Sequence, residues 1–398
     1  MNRNDFPMLN QDIIYFDNGA TTLKPQVVID SMVEYYSKYS ANAHRGDYHI
    51  SMIVDDKYEN TRQLVKNFIN ARCTKEIIFT SGATEGVNMV ASGFFRYVLN
   101  PGDEIILSKA DHASNILPWQ VLANELNLVI KYVDLDDQNY VTVDNIKKII
   151  SPRTKVISLA NITNVVGDLR PIKEICNVAH QNNIYVVCDA AQSVGHRKTD
   201  VSDLDVDFLV FSAHKMYGPT GVGVLYGKEE LLERLRPTNL GGGMNETFDD
   251  ENNISLKSLP ARLEAGTPNI AGVLGLGEAI KYLNNIGMDK ISEYEHNLRE
   301  YLISKLIKID FIDIINIEGD SATIAFNVDG IFAQDVAVYL DKYNICVRAG
   351  NHCTKLLKDV INVRNTVRAS LAFYNTYEEI DTFVELLSNR DKIIREML

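Results

Sequence analysis

Phe208-Leu209-Val210-Phe211-Ser212-Ala213-His214-Lys215 begins as an uninterrupted apolar run and ends on a lysine. A short run of this kind is the pattern of a strand covered on both faces, as strands are in a mainly parallel sheet. Upstream, Ile184-Tyr185-Val186-Val187-Cys188 has the same character and closes on Asp189. Similar runs cover Glu76 to Phe79, Glu104 to Leu107, Val156 to Leu159 and Val222 to Tyr226, separated by amphipathic stretches. After the first of them, Val87, Val90, Ala91, Phe94 and Val98 recur at helical spacing, and Pro171 to Asn182 reads as another crossover helix. The alternation predicts a doubly wound α/β domain with a mainly parallel sheet.

A long helical region from about Gly275 to Lys308 leads into a shorter pattern. Strands are expected at Ala322–Phe326, Ile345–Arg348 and Val367–Phe373, with helices over Ala333–Lys342 and Thr376–Asn389, which describes a small α+β domain. The expected division is a large domain over residues 15–290 and a small one built from 1–14 and 291–398. Repeats, low-complexity tracts and Pro/Gly-rich linkers are not evident.

With 398 residues, 45% of them hydrophobic, the chain can bury a large core and exceeds one typical domain. A net charge of −13 and a pI near 5.1 provide no basic footprint for a nucleic-acid backbone. Small substrates or protein partners fit better. The N-terminus lacks an apolar signal core, and no apolar stretch approaches the roughly 20 residues that span a bilayer, so a cytoplasmic location without membrane attachment is expected. Five cysteines, an odd number with no Cys-x-x-Cys pair, fit free thiols. Cys73, Cys176, Cys188 and Cys346 lie in helical or strand-like patterns and read as small buried hydrophobes.

Lys215 and Asp189, each closing a strand, are the parts that a pyridoxal 5'-phosphate enzyme requires. The amine joins the cofactor aldehyde, and an ionised carboxylate against the ring nitrogen keeps the ring protonated and electron-withdrawing. Ser81-Gly82-Ala83-Thr84-Glu85-Gly86 follows a strand and opens a helix, so it reads either as a phosphate cradle or as an ordinary capped turn. Ser212 and His214 flank Lys215 and could donate to the same phosphate, or simply form a polar loop. Gln192 lies where it could reach the ring hydroxyl. His112 follows a strand, at the edge where ligands of open α/β sheets collect, and is either a ring-stacking, proton-shuttling group or a surface side chain. Gly218-Pro219-Thr220-Gly221-Val222-Gly223 leads into a strand, unlike a dinucleotide fingerprint or a P-loop, and the eight histidines form no obvious metal cluster.

Taken in order, Tyr15-Phe16-Asp17-Asn18-Gly19-Ala20-Thr21-Thr22, the Ser81–Gly86 loop, Cys188-Asp189-Ala190-Ala191-Gln192-Ser193, Ser212 to Gly223, Glu264-Ala265-Gly266-Thr267-Pro268-Asn269 and Val347-Arg348-Ala349-Gly350-Asn351-His352-Cys353 resemble fold-type-I pyridoxal phosphate enzymes of the class V aminotransferase family. Within it the chain resembles cysteine desulfurases of the SufS type. The resemblance implies that Lys215 carries the cofactor, Asp189 pairs with the ring nitrogen, Gln192 contacts the ring oxygen and His112 stacks on the ring. It implies that Thr84, Ser212 and His214 hold the phosphate, and that Thr267 reaches the phosphate of a neighbouring subunit in a homodimer. Asn164, Arg348 and Arg368 are implied at the substrate, Arg368 clamping its carboxylate, a task suited to a planar guanidinium.

Cys353 selects the reaction. Its setting after Gly350-Asn351-His352 is turn-like, which suits a reactive thiol, and in the family this position accepts sulfur. L-Cysteine would then be converted to L-alanine, leaving a persulfide on Cys353, with Lys215 as general base. The short segment between Arg348 and Cys353 resembles the SufS-type branch, which implies a SufE- or SufU-like acceptor protein and sulfur delivery for iron–sulfur cluster assembly. Arg45-Gly46-Asp47-Tyr48-His49 departs from the family's Arg-Gly-x-His, Asn351 replaces a frequent histidine, and Thr354-Lys355-Leu356-Leu357 lacks the proline common after the cysteine. A selenocysteine lyase, a transaminase or kynureninase-like lyase that does not use Cys353, and a non-catalytic scaffold are the rival readings.

Overall fold

The computed structural model describes residues 2–43 and 46–397. Seven strands form one sheet: β1 (Ile77–Thr80), β2 (Glu104–Ser108), β3 (Val129–Val133), β4 (Thr154–Ala160), β5 (Tyr185–Asp189), β6 (Phe208–Ser212) and β7 (Gly223–Gly227). Their order across the sheet is β1-β7-β6-β5-β4-β2-β3. Neighbours from β6 to β3 are parallel, whereas β7 runs antiparallel to both β6 and β1. Every residue of β1, β2, β6 and β7 is buried, which is why these strands show unbroken apolar runs. The architecture is the expected α/β class.

Helices cover both faces. α1 (Gln26–Lys38) and α2 (His49–Phe68) pack with α5 (Ile270–Ile286), while α3 (Ala83–Met89) rests over β6 and β7 and α4 (Ile172–Gln181) over β5. The helical region expected to run on to Lys308 is two helices, α5 and α6 (Met288–Leu306), separated by Gly287 at φ +95°. Beyond α3 the chain widens into a π-helical turn at Val90–Phe94 instead of continuing as a regular helix.

The C-terminal layer is an antiparallel sheet of order β8-β9-β11-β10, formed by β8 (Ile312–Ile314), β9 (Thr323–Val328), β10 (Arg348–Gly350) and β11 (Thr366–Ser370). α7 (Ala333–Asp341) and α8 (Tyr377–Leu387) close its core through Val336, Leu340 and Phe383. Thr376 and Glu379 cap each other reciprocally at the start of α8. The strand expected over Ile345–Arg348 is divided: Ile345–Cys346 pairs in parallel with Ile14–Tyr15, and Arg348 starts β10.

The N-terminal segment joins the two layers. Phe16 is buried in the small core, whereas Phe6 is fully buried in the large one, its ring edge to face with Tyr217, Tyr282 and Phe373. Burying one such ring contributes about 2 kcal/mol. Among the described residues no helix is long and apolar enough to cross a membrane.

Candidate active site

Strand direction gathers the chemistry at one edge. β2, β4, β5 and β6 are parallel, so His112, Asn164, Asp189 and Lys215, which end or follow them, emerge on the same side. β7 places Gly223 opposite both Thr80 and Ser212, so the Ser81–Gly86 turn reaches that edge too. A Cβ on Gly223 would lie 2.5 Å from the Cα of Gly82, so this close approach requires glycine. A cavity of about 300 Å³ at this edge includes every expected site residue except Thr267.

Lys215 and Asp189 face each other electrostatically in this cavity. Burial pushes the lysine below its usual range, Asp189 pulls it back up, and Arg368 pushes it further down. Burial raises the Asp189 carboxyl while Lys215 opposes the shift, and the Ala191 N–H donates to Oδ1 at 3.0 Å. His112 is lowered to about 4 by burial and by the charges of Lys215 and Arg368, so its ring is neutral at neutral pH. Its Nδ1 accepts the Ser114 backbone N–H at 3.1 Å, which assigns the remaining ring proton to Nε2.

The polar groups around the start of α3 form a cluster. Ser212 Oγ accepts the Ala83 N–H at 2.8 Å, and Thr84 Oγ1 and Ser114 Oγ are 2.7 Å apart. His214 is lowered to about 4 by burial, Lys215 and Lys24. Gln192 Nε2 donates to the Gly19 carbonyl at 2.8 Å, leaving Oε1 for other contacts.

Arg368 is 2% exposed on β11. Its Nη1 donates to the Asn164 carbonyl at 3.0 Å, its Nη2 lies 3.4 Å from Asp17 Oδ1, and its Nε, though buried, has no hydrogen-bond partner among the described residues. Arg348 grips Asp17 with two nitrogens, Nε at 3.1 Å and Nη2 at 2.9 Å. Asp17 thus balances both arginines. The Asn164 amide turns towards the Cys353 segment, with Nδ2 donating to the His352 carbonyl at 2.8 Å and Oδ1 accepting from Thr354 Oγ1 at 3.1 Å.

Cys353 is the exposed cysteine on the cavity wall. Cys176 and Cys188 are buried with pKa values pushed up by burial, and Cys73 and Cys346 are partly buried. Of the departures from the family pattern, Asn351 accepts the Cys353 N–H through Oδ1 at 3.0 Å, Tyr48 precedes α2 with His49 as its first residue, and Arg45 lies outside the described residues. Thr267 is exposed on the loop before α5, where Asn42 Nδ2 donates to its Oγ1 at 3.3 Å. Asp17 and Thr354 join the site through partners distant in sequence, which the sequence does not mark.

The residues fit pyridoxal 5'-phosphate: a buried amine facing a buried carboxylate, hydroxyls and an imidazole grouped at one end, and a buried guanidinium with an unpaired N–H at the other. A match to the family described as Aminotransferase class-V covers residues 14–383. The chain belongs to that family. Its class V relatives include a probable cysteine desulfurase of Borreliella burgdorferi, to which it is 44% identical over 410 residues, with 99% of this chain and 96% of that one covered. The fold is similar to that of an apo cysteine desulfurase from Thermococcus onnurineus NA1, at a TM-score of 0.93 and 37% identity over 97% of this chain and 96% of that one. It is equally similar, at a TM-score of 0.93 and 35% identity over 100% and 98% of the two chains, to an Escherichia coli cysteine desulfurase solved with an S-sulfonic acid.

Proposed function

We propose that this class V family member is a cysteine desulfurase that converts L-cysteine to L-alanine and takes the sulfur onto Cys353. The observation that carries the reading is the exposed Cys353 thiol on the wall of the cavity that holds Lys215 and Asp189. A transaminase would not need a cysteine there.

Pyridoxal 5'-phosphate bound to Lys215 would supply an electron sink for the carbanion formed at the substrate Cα. Asp189 would pair with its ring nitrogen, Gln192 with its ring oxygen, and Thr84, Ser212 and His214 with its phosphate. The neutral face of His112 would lie against its ring. Arg368 would hold the substrate carboxylate in two parallel hydrogen bonds, for which its unpaired Nε is suited, with Asn164 and Arg348 beside it. The depressed pKa of Lys215 leaves more of its amine neutral, the form that can take the Cα proton.

The Cys353 thiolate attacks the substrate sulfur, forming a sulfur–sulfur bond as the Cβ–sulfur bond breaks. The electron pair of that bond stays with the three-carbon fragment, which takes up a proton at Cβ, regains one at Cα from Lys215 and leaves as L-alanine. The persulfide then passes to a SufE- or SufU-like protein for iron–sulfur cluster assembly in the cytoplasm. A homodimer completes each site with Thr267 from its partner. Residues 15–290 would form most of the cofactor-binding domain and 291–398 the domain that presents Cys353, with the N-terminal segment contributing Phe6 to the large core and Phe16 to the small one.

The test measures alanine and sulfide released from L-cysteine with reductant present. Wild type is expected to release both, and Cys353→Ser to be slower by about 100-fold or more. Full activity in that variant would move the assignment to a transaminase or lyase of the same family. Adding the acceptor protein is expected to raise turnover, and equal rates with and without it would remove that partner.

A further inference from the structure

Cys353 sits in a turn that its own backbone does not favour. His352 and Cys353 are successive non-glycine residues at φ +50° and +59°, a region that L-residues seldom occupy. The segment that follows, Thr354-Lys355-Leu356-Leu357, has no proline to restrict it. The turn therefore depends on bonds from outside it. Two elements of the large sheet edge provide them: the Ala113 N–H donates to the Cys353 carbonyl at 2.9 Å, and Asn164 Nδ2 donates to the His352 carbonyl at 2.8 Å.

Asn164 can make that bond only if its amide is held the right way round. Thr354, 3% exposed, fixes it: Oγ1 donates to Asn164 Oδ1 at 3.1 Å, its shorter contact, with the His352 carbonyl at 3.4 Å, and this leaves Nδ2 to donate to the turn. The third polar group of Asn164 used here, its main-chain carbonyl, accepts from Arg368 Nη1 at 3.0 Å. A single residue thus joins the cysteine turn to the guanidinium proposed to bind substrate.

We propose that Thr354 is a positioning residue for sulfur transfer, its hydroxyl fastening the Cys353 turn to Asn164 and, through Asn164, to Arg368. The hydroxyl takes no part in bond making. It restrains the Cys353 sulfur to positions over the cavity, where the sulfur of a substrate anchored by Arg368 would lie. This deepens the desulfurase reading and rests on it for its kinetic consequence, but the fastening itself does not.

The experiment uses the purified full-length enzyme and has two readouts. The first is hydrogen exchange at the Ala113 amide, which is bonded to the Cys353 carbonyl and is independent of turnover. In Thr354→Val, which keeps the shape and removes the donor, exchange is expected to quicken about fivefold, as loss of one hydrogen bond implies. Amides of β5 are expected to keep wild-type rates, which shows that the fold is intact. The second readout is the rate of alanine formation, where kcat is expected to fall about fivefold with KM for L-cysteine unchanged. Thr354→Ser restores both, and Thr354→Ala reproduces the valine variant. Unchanged Ala113 exchange in both Val and Ala variants would overturn the proposal, as would failure of Ser to restore it or a rise in KM without a fall in kcat. Faster exchange in an enzyme whose wild type releases no alanine would leave the fastening in place and sink the desulfurase reading instead.

Discussion

His352 shows how burial and charge shape the site one residue at a time. Burial and the neighbouring Arg368 and Arg348 lower its pKa to about 3, with the Thr366 carbonyl pulling the other way, and its Nδ1 is buried without a partner among the described residues. His112 and His214 are each held at about 4. In the unfolded chain these rings take up protons near 6.5, so from about pH 7 down to about pH 4 the unfolded state binds more protons than the folded one, and stability is lost as the pH falls. His180 and His196, raised by Asp207 and Glu295, contribute in the opposite sense, their stabilisation present at low pH and lost as pH rises through their folded values. The expected outcome for the cofactor-free chain is a urea midpoint that drops between about pH 7 and about pH 5, and drops less in His352→Gln. An equal drop in both would show that His352 titrates normally. At this scale the sequence brings forward Lys215 and Asp189 by the strands they close and Cys353 by the family resemblance, and the structure sets all three on one cavity. Asp17 and Thr354 are not legible in the sequence, since their partners Arg348 and Asn164 lie 331 and 190 positions away.

Between elements, the loops that present the site are tied together by a buried ionic network. Arg170, just before α4, pairs with Asp111 after β2 and with Asp168, and its Nη2 donates to Ser108 Oγ at 3.1 Å. Asp111 Oδ2 also accepts from Asn115 Nδ2 at 2.8 Å and from the Ala160 N–H, at the end of β4, at 2.9 Å. Neither Arg170 nor Asp111 has an exposed side chain, so removing the cation would leave two carboxylates buried without it. Arg170→Leu is expected to cost about 3–5 kcal/mol in urea unfolding, far more than an exposed pair would. A loss below about 1 kcal/mol would mean that the aspartates become protonated at little cost and that the network does not fasten the loop bearing His112. The sequence shows the strands on either side of this network because each is almost wholly buried around a short apolar stretch, Ile105-Ile106-Leu107 in one and Val156-Ile157 with Leu159 in the other. It conceals β3, which lies at the sheet edge with its first residue exposed and only its last buried, so no unbroken apolar run marks it. The break at Gly287 is hidden for a related reason: the apolar period carries on between α5 and α6, and only the backbone at φ +95° distinguishes two helices from one.

For the whole molecule, one expected site residue is out of place in a single chain. Thr267 is exposed and does not line the cavity, whereas Thr84, Ser212 and His214, proposed for the same phosphate, do. If Thr267 serves a second subunit, the two halves of each site can be supplied by different chains, and mixing damaged subunits tests this directly. Thr267→Ala is expected to weaken cofactor binding about tenfold or more, the loss of one hydrogen bond to a charged group. Lys215→Ala is expected to abolish alanine formation, because it removes the amine proposed to hold the cofactor and to take the Cα proton. A mixed dimer of the two contains one site with Lys215 from the first subunit and Thr267 from the second, both intact. Refolding the variants together at limiting cofactor should therefore recover activity approaching half that of wild type in the mixed dimers, with neither parent active at that concentration. If Thr267 acts within its own chain, the same mixed dimer has no undamaged site, since the subunit that keeps Lys215 lacks Thr267. Activity no higher than the average of the two parents would assign Thr267 to its own subunit or to no site, and would withdraw the proposal that each cavity is completed across a homodimer.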